Sequence, residues 1–213
     1  MTEALLVCGG AAPPLEQIQH ILKKTCFICA ADSGLDTVQA WGLTPDLIVG
    51  DMDSLSDRSL LESCRSRGCE ILEQSSYKDD TDTETALREL RRRGFGHIIL
   101  AGGGGGRLDH ILALQALFMR PESPAEWYTD RERIVKLSAA RNITAGRGNL
   151  VSLFPLGPNG ARGMQSRGLE WPLAGLEWPP GYFGISNICI DEEIWIDPGE
   201  SPLLLIINCS GAR

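Results

Sequence analysis

The apolar positions of this chain follow two regimes that change near residue 125. Before that point short apolar runs alternate with helix-length amphipathic stretches. Ala4–Cys8, Cys26–Ala30, Leu47–Gly50, Glu70–Leu72 and His97–Ala101 are predicted strands, with helices predicted between them at Leu15–Lys24, Leu35–Trp41, Asp57–Arg67 and Thr83–Arg93. A further helix is predicted over Asp109–Phe118, its apolar content being Ile111, Leu112, Leu114, Ala116 and Leu117. Strand-helix alternation of this kind builds a mostly parallel sheet with helices on both faces, an α/β fold. Pro121-Glu122-Ser123-Pro124 then interrupts the pattern. Beyond it lie short β-branched and aromatic runs, Ile134–Leu137, Leu150–Phe154, Ala161–Gln165, Ile185–Ile190, Glu193–Ile196 and Leu203–Ile207, which predict a small antiparallel β-sandwich. The expected organisation is an α/β domain over residues 1–125 and a β-sandwich domain over residues 126–213.

The length, 213 residues, suits two modest domains. A net charge of −8 with no basic stripe argues against an electrostatic nucleic-acid binder. The one basic cluster, Arg91-Arg92-Arg93 before Gly94, suits a helix C-terminus, where cations complement the dipole. The N-terminal Leu5-Leu6-Val7-Cys8-Gly9 is too short for a secretory apolar core, and no stretch approaches a membrane span. The seven cysteines are odd in number and several fall in apolar runs, which points to reduced core thiols in a cytoplasmic protein. Cys26 and Cys29 flank Phe27-Ile28 inside a predicted strand rather than opening a helix, which argues against a redox or zinc pair.

Strand ends of an open parallel sheet converge on one edge, where ligands bind. The segments that follow the second to fifth predicted strands all carry aspartate: Asp32 after the second, Asp51 and Asp53 after the third, Asp79, Asp80 and Asp82 after the fourth, and Asp109 after the fifth. Asp51 and Asp53 are one residue apart, so an extended backbone sends both carboxylates to one side, towards a hard cation. The competing reading is an Asp-rich turn before a helix capped by Ser54 or Ser56. Converging carboxylates repel one another unless cations intervene, and Mg²⁺ that also holds a polyphosphate is the natural occupant. Lys78 and Arg107 stand in the same loops and can neutralise phosphate. The run Gly102–Gly106 allows close backbone approach and supplies amide donors, although the chain contains neither a P-loop nor a dinucleotide glycine motif. Asp82 and Asp109 suit helix N-termini equally well, Asp79 and Asp80 suit solvated surface, and Asp36 suits a helix surface. His110 divides between packing and ligand contact.

Together the segments Ala31-Asp32-Ser33-Gly34, Gly50-Asp51-Met52-Asp53-Ser54, Lys78-Asp79-Asp80-Thr81-Asp82 and Gly105-Gly106-Arg107-Leu108-Asp109-His110 closely resemble the motif series of the thiamine pyrophosphokinase family. The second half is similar to that family's C-terminal β-domain through Gly168–Leu173 and Gly184–Asn187. The resemblance implies transfer of a pyrophosphoryl group from ATP to the hydroxyethyl oxygen of thiamine, giving thiamine diphosphate and AMP. It implies Mg²⁺ on Asp51, Asp53 and Asp82, polyphosphate held with the help of Asp32, Lys78, Arg107 and His110, and a catalytic set of Asp51, Asp53, Asp82 and Asp109. One carboxylate would accept the hydroxyl proton, with Asp82 and Asp109 both open. Thiamine would stack on Trp171 and hydrogen-bond to Ser186 and Asn187, supplied by the neighbouring subunit of a homodimer whose active site lies at the interface. Trp178 and Trp195 are expected in the core.

The chain departs from the family's pattern at Ser33, Leu35 and Asp36, which bears on adenosine-side contacts, and at Glu170, where a basic residue is common. A Mg²⁺-dependent phosphohydrolase would place its D-x-D pair after the first strand, where this chain has Cys8-Gly9-Gly10. A sugar-nucleotide transferase would leave Lys78–Asp82 and Arg107–His110 without a purpose. A non-catalytic thiamine or nucleotide sensor would have little reason to concentrate so much negative charge.

Overall fold

The computed structural model describes residues 3–52, 59–73 and 80–209, and its contacts divide the chain into a unit of residues 1–130 and a unit of residues 131–213. The first unit alternates β1 (Glu3–Val7), α1 (Leu15–Leu22), β2 (Phe27–Ala31), α2 (Gly34–Ala40), β3 (Leu47–Gly50), α3 (Ser59–Ser66), β4 (Glu70–Glu73), α4 (Asp82–Arg92), β5 (His97–Ala101), α5 (Leu108–Leu117) and β6 (Glu126–Tyr128). Every strand pairing in this unit is parallel, in the order β6-β5-β1-β2-β3-β4. The short β6, whose pattern carries no strand signal beyond two aromatics, extends the sheet beside β5.

Burial explains why the sheet is covered twice. Ala4, Leu5, Leu6 and Val7 of β1 are all fully buried, although successive side chains point to opposite faces. Leu5 and Val7 join Ile18, Ile21, Leu35, Val38 and Cys64 in one cluster formed with α1, α2 and α3. Ala4 and Leu6 are left for the other face, where α4 crosses β1, β2 and β3. Each buried leucine contributes roughly 2 kcal/mol. Helix α4 ends in the basic turn expected of it, and Arg91 donates to the carbonyls of Phe95, Gly96, Glu122 and Ser123 at 2.6–3.2 Å.

The second unit is a sandwich. Strands β7 (Glu132–Leu137), β9 (Leu150–Pro155), β11 (Gly184–Ile188) and β13 (Leu203–Asn208) form one antiparallel sheet in the order β11-β9-β13-β7. Strands β8 (Arg141–Thr144), β10 (Gln165–Arg167) and β12 (Glu193–Asp197) form the other, in the order β10-β12-β8. Val135, Leu137, Ile143, Val151, Leu153, Ile194, Ile196, Leu203 and Leu205 fill the space between them. The strand predicted over Ala161–Gln165 begins only at Gln165, because Ala161 instead makes an isolated bridge to Trp178. The expectation of a core Trp195 is corrected: Ile194 and Ile196 take the inner face of β12, so Trp195 faces outward beneath the Arg167 guanidinium, 4.5 Å from its ring centre. Trp178 packs against the core from its edge and remains half-buried. All seven cysteines are free thiols, and Cys26 is exposed rather than in the core.

Candidate active site

Strand order locates the site. From β1 the chain adds β2, β3 and β4 to one side and then returns to place β5 on the other, so the strand order reverses between β1 and β5. At such a switch point a crevice opens beyond the carboxyl ends of the strands. Here the loops after the two strands are Cys8-Gly9-Gly10-Ala11 and Gly102–Gly106, and they are laced together. Gly103 N–H donates to Gly9 O at 2.8 Å, Ala11 N–H to Gly104 O at 2.6 Å and Gly104 N–H to Ala11 O at 2.9 Å. Gly102 N–H donates to Tyr128 O at 2.9 Å, which adds the end of β6. A Cβ on Gly104 would stand 2.5 Å from Asp130 Oδ1 and 2.7 Å from Ala11 O, so only glycine fits between these two loops.

The crevice is a cleft of ≈ 540 Å³, and Asp32, Asp82, Arg107 and His110 all line it. Ser33, Thr81, Thr83 and Cys8, which the motif reading leaves without a role, line it as well. Asp82 is the first residue of α4, whose start is set by a capping box: Thr81 Oγ1 accepts from Glu84 N–H at 3.2 Å, and Glu84 Oε2 accepts from Thr81 N–H at 2.9 Å. Thr81, Asp82 and Thr83 at that helix start all line the cleft, and the positive end of a helix dipole suits anions. Burial pushes the Cys8 thiol up to about 12, which keeps it protonated and removes it as a nucleophile.

The acidic loops meet at backbone level. A Cβ on Gly50 would lie 3.2 Å from Asp32 Cβ, so the end of β3 abuts Asp32 and delivers Asp51 next to it, although Asp51 does not itself line the cleft. Asp32 Oδ1 is shielded from solvent, which favours a cation partner for its charge. Asp32 and Met52 adopt φ of 47° and 61°, and Ser186 adopts 60°; among the described residues these are the only non-glycine positive values, and each falls in or beside a predicted site segment. Such strain persists where the surroundings hold it for a purpose. Asp53 and Lys78, together with Asp79, Ser54 and Ser56, lie outside the described residues. Among the described residues no three His, Cys, Asp or Glu side chains form a ready-made metal cage. Mg²⁺ does not need one, since it takes one or two carboxylates and completes its shell with water and phosphate. Asp32 and Asp82 on one cleft fit that requirement.

Arg107 reaches out from the glycine run and grips Asp109 with two hydrogen bonds, Nε to Oδ1 at 3.1 Å and Nη2 to Oδ2 at 2.5 Å. The pair is exposed, so phosphate can compete for the guanidinium. The Arg107 hydrogen bond holds the Asp109 carboxyl below the usual carboxylate range, which disfavours Asp109 as a proton acceptor. Asp109 is not on the cleft wall. Asp80 pairs with Arg88 at 2.8 Å, a solvated ion pair on the α4 surface.

The second unit holds its own pocket of ≈ 270 Å³, walled by Trp171, Leu173, Trp178, Phe183 and Ile185. Trp171 is 55 % exposed, as a stacking platform must be. Asn187, in contrast, is 8 % exposed and holds the Trp171 backbone from both sides: Trp171 N–H donates to Asn187 Oδ1 at 3.1 Å and Asn187 Nδ2 donates to Trp171 O at 2.7 Å. Ser186 sits at an irregularity in the pairing of β11 with β9, its side chain exposed.

Residues 18–126 match the family described as thiamin pyrophosphokinase, catalytic domain. No curated protein sequence matches the chain. Among solved structures, thiamine pyrophosphokinase from Bacillus subtilis is similar at 20% identity and a TM-score of 0.84, covering 99% of this chain and 100% of its own. A thiamin pyrophosphokinase family protein from Enterococcus faecalis gives 21% identity and a TM-score of 0.82 over 99% and 100% of the two chains. Thiamin pyrophosphokinase from Candida albicans gives 18% and 0.72 over 97% and 89%. At these identities the structural likeness is one of fold.

Proposed function

The chain belongs to the thiamin pyrophosphokinase family, and on that premise we propose how its residues divide the work of moving a pyrophosphoryl group from ATP to thiamine. The observation that carries the assignment is the convergence of Asp32, Asp82, Arg107 and His110 on one cleft at the switch point of the sheet. Asp32, Asp51, Asp53 and Asp82 would hold Mg²⁺, which when bound would neutralise phosphate charge and screen the carboxylates from the anion. Arg107 leaves Asp109 for phosphate, and Asp109 orients it before the substrate arrives. Lys78 and His110 take phosphate contacts beside it.

The hydroxyethyl oxygen of thiamine attacks the β-phosphorus. An O–P bond forms there while the bond from that phosphorus to the oxygen bridging to the α-phosphorus breaks, and AMP leaves with that oxygen. The hydroxyl proton passes to Asp82, which lines the cleft, whereas Asp109 does not. Catalysis rests on positioning and charge neutralisation, so no protein nucleophile is required.

Thiamine stacks on Trp171 in the pocket of the β-sandwich unit, with Ser186 as a polar contact and Asn187 both fixing Trp171 and offering its second Nδ2 hydrogen. The catalytic unit is a homodimer in which this pocket of one subunit serves the cleft of its neighbour. Exposed Trp171, Tyr182, Phe183 and Ile185 supply an apolar surface that suits such an interface. Among the described residues no helix is long and apolar enough to cross a membrane, and seven free thiols suit a reducing compartment, so the reaction is assigned to the cytoplasm. The test is an incubation with ATP, Mg²⁺ and thiamine. AMP and thiamine diphosphate in equal amounts are expected, while phosphate release without thiamine, or thiamine binding with no AMP, would overturn the reading.

A further inference from the structure

We propose that the Ser33 hydroxyl is a direct ligand of the nucleotide's polyphosphate; the inference rests on the cleft being the ATP site. Ser33 occupies the cap position of α2, yet its side chain makes no capping hydrogen bond. It lines the cleft instead. Its Oγ lies 2.2 Å from where a Cβ on Gly9 would stand, and the next nearest atoms to that point, at 3.4 and 3.9 Å, also belong to Ser33. The atom that crowds a Cβ at position 9 is therefore this hydroxyl, which lies directly over the Gly9 backbone.

What adjoins Gly9 identifies the ligand chemistry. Gly9 O accepts from Gly103 N–H at 2.8 Å, and a Cβ on Gly10 would approach Gly103 Cα to 3.0 Å, so the hydroxyl stands at one end of a side-chain-free strip. That strip runs through Gly105 and Gly106 to the Arg107 guanidinium, all of them on the cleft wall. A hydroxyl donor and an arginine on a glycine floor suit an extended anion, whereas a flat base would take the apolar part of the cleft at Ala113, Leu114 and Leu117.

The experiment compares binding of Mg²⁺·ATP and of Mg²⁺·tripolyphosphate by calorimetry to the wild type and to Ser33→Ala, Gly9→Ala and the double variant. A hydrogen bond to a charged oxygen predicts about tenfold weaker binding of both ligands by Ser33→Ala, with unchanged melting temperature. Gly9→Ala, whose methyl takes the hydroxyl's place, should show the same loss, and the double variant no more than either. Unchanged tripolyphosphate affinity in Ser33→Ala would overturn the proposal, as would a loss confined to ATP or losses that multiply in the double variant. A wild type that binds neither ligand would sink the ATP site itself, an outcome distinct from variants that bind as the wild type does.

Discussion

Asn187 supplies the most discriminating test of how the β-sandwich unit presents thiamine. It is 8 % exposed and its side chain makes three hydrogen bonds: Oδ1 accepts from Trp171 N–H at 3.1 Å and from Ile188 N–H at 2.9 Å, and Nδ2 donates to Trp171 O at 2.7 Å. Asn187→Ala strips partners from three backbone groups. Each neutral bond is worth about 1 kcal/mol net, and water reaches the exposed Trp171 to refill part of the deficit, so destabilisation of about 2 kcal/mol is expected. The functional effect should pass through the indole. Losing a stacking contact costs about 1 kcal/mol, so Trp171→Ala should raise the thiamine KM about fivefold, and Asn187→Ala, by releasing the same indole, should raise it by a similar factor. In the double variant the two effects should not multiply, because a released platform and an absent one are equivalent. The assay is AMP formation against thiamine concentration at saturating ATP, with urea unfolding run alongside. KM effects that multiply would refute the positioning role and make Asn187 an independent contact to thiamine.

Other outcomes follow from the same geometry. Asp32→Asn and Asp82→Asn should each lower kcat at least about a hundredfold while leaving the melting temperature within a degree or two, since cleft carboxylates serve the ligand rather than the core; calorimetric scans beside the AMP assay check both halves. Gly34→Ala should destabilise the α/β unit by about 3 kcal/mol in urea, because its Cβ would meet the backbone oxygen of Val7 at 2.1 Å and neither β1 nor α2 can yield cheaply. Glu89 is held down to about 2 by Arg92 and then Arg93, so its folded pKa lies below its unfolded value of about 4.5. Its contribution is therefore complete above pH 4.5 and fades as pH falls towards 2, and Glu89→Gln should flatten that part of the stability profile measured by urea titration.

The central strands of the α/β half are legible because they are buried on both faces and stand out as apolar runs. Leu47–Gly50 and His97–Ala101 keep the same bounds in the structure as in the pattern. Strand β6 is not legible, since three residues that include a buried glutamate bonded to Tyr128 at 2.8 Å carry no periodicity. Strand β8 hides for another reason: only Ile143 of its four residues is buried, and its place is set by pairing with β12. The outward Trp195 shows the same limit, because alternation along β12 reveals which residues share a face but not which face is inner. For the site, motif spacing identifies Asp32, Asp82, Arg107 and His110 on the cleft. It leaves Ser33 and Thr83 unread, because a hydroxyl gains meaning only from what lies across from it.

The lacing of Gly102–Gly104 to Gly9–Ala11 and Tyr128 also bears on anyone who would transplant this anion-binding loop. Ordering a residue's backbone costs about 1–2 kcal/mol, and for these three glycines that entropy is surrendered when the chain folds rather than when a ligand arrives. A graft of Gly102–His110 into a scaffold lacking the neighbouring strand ends would forfeit roughly 3–6 kcal/mol of preorganisation and bind phosphate as a floppy peptide does.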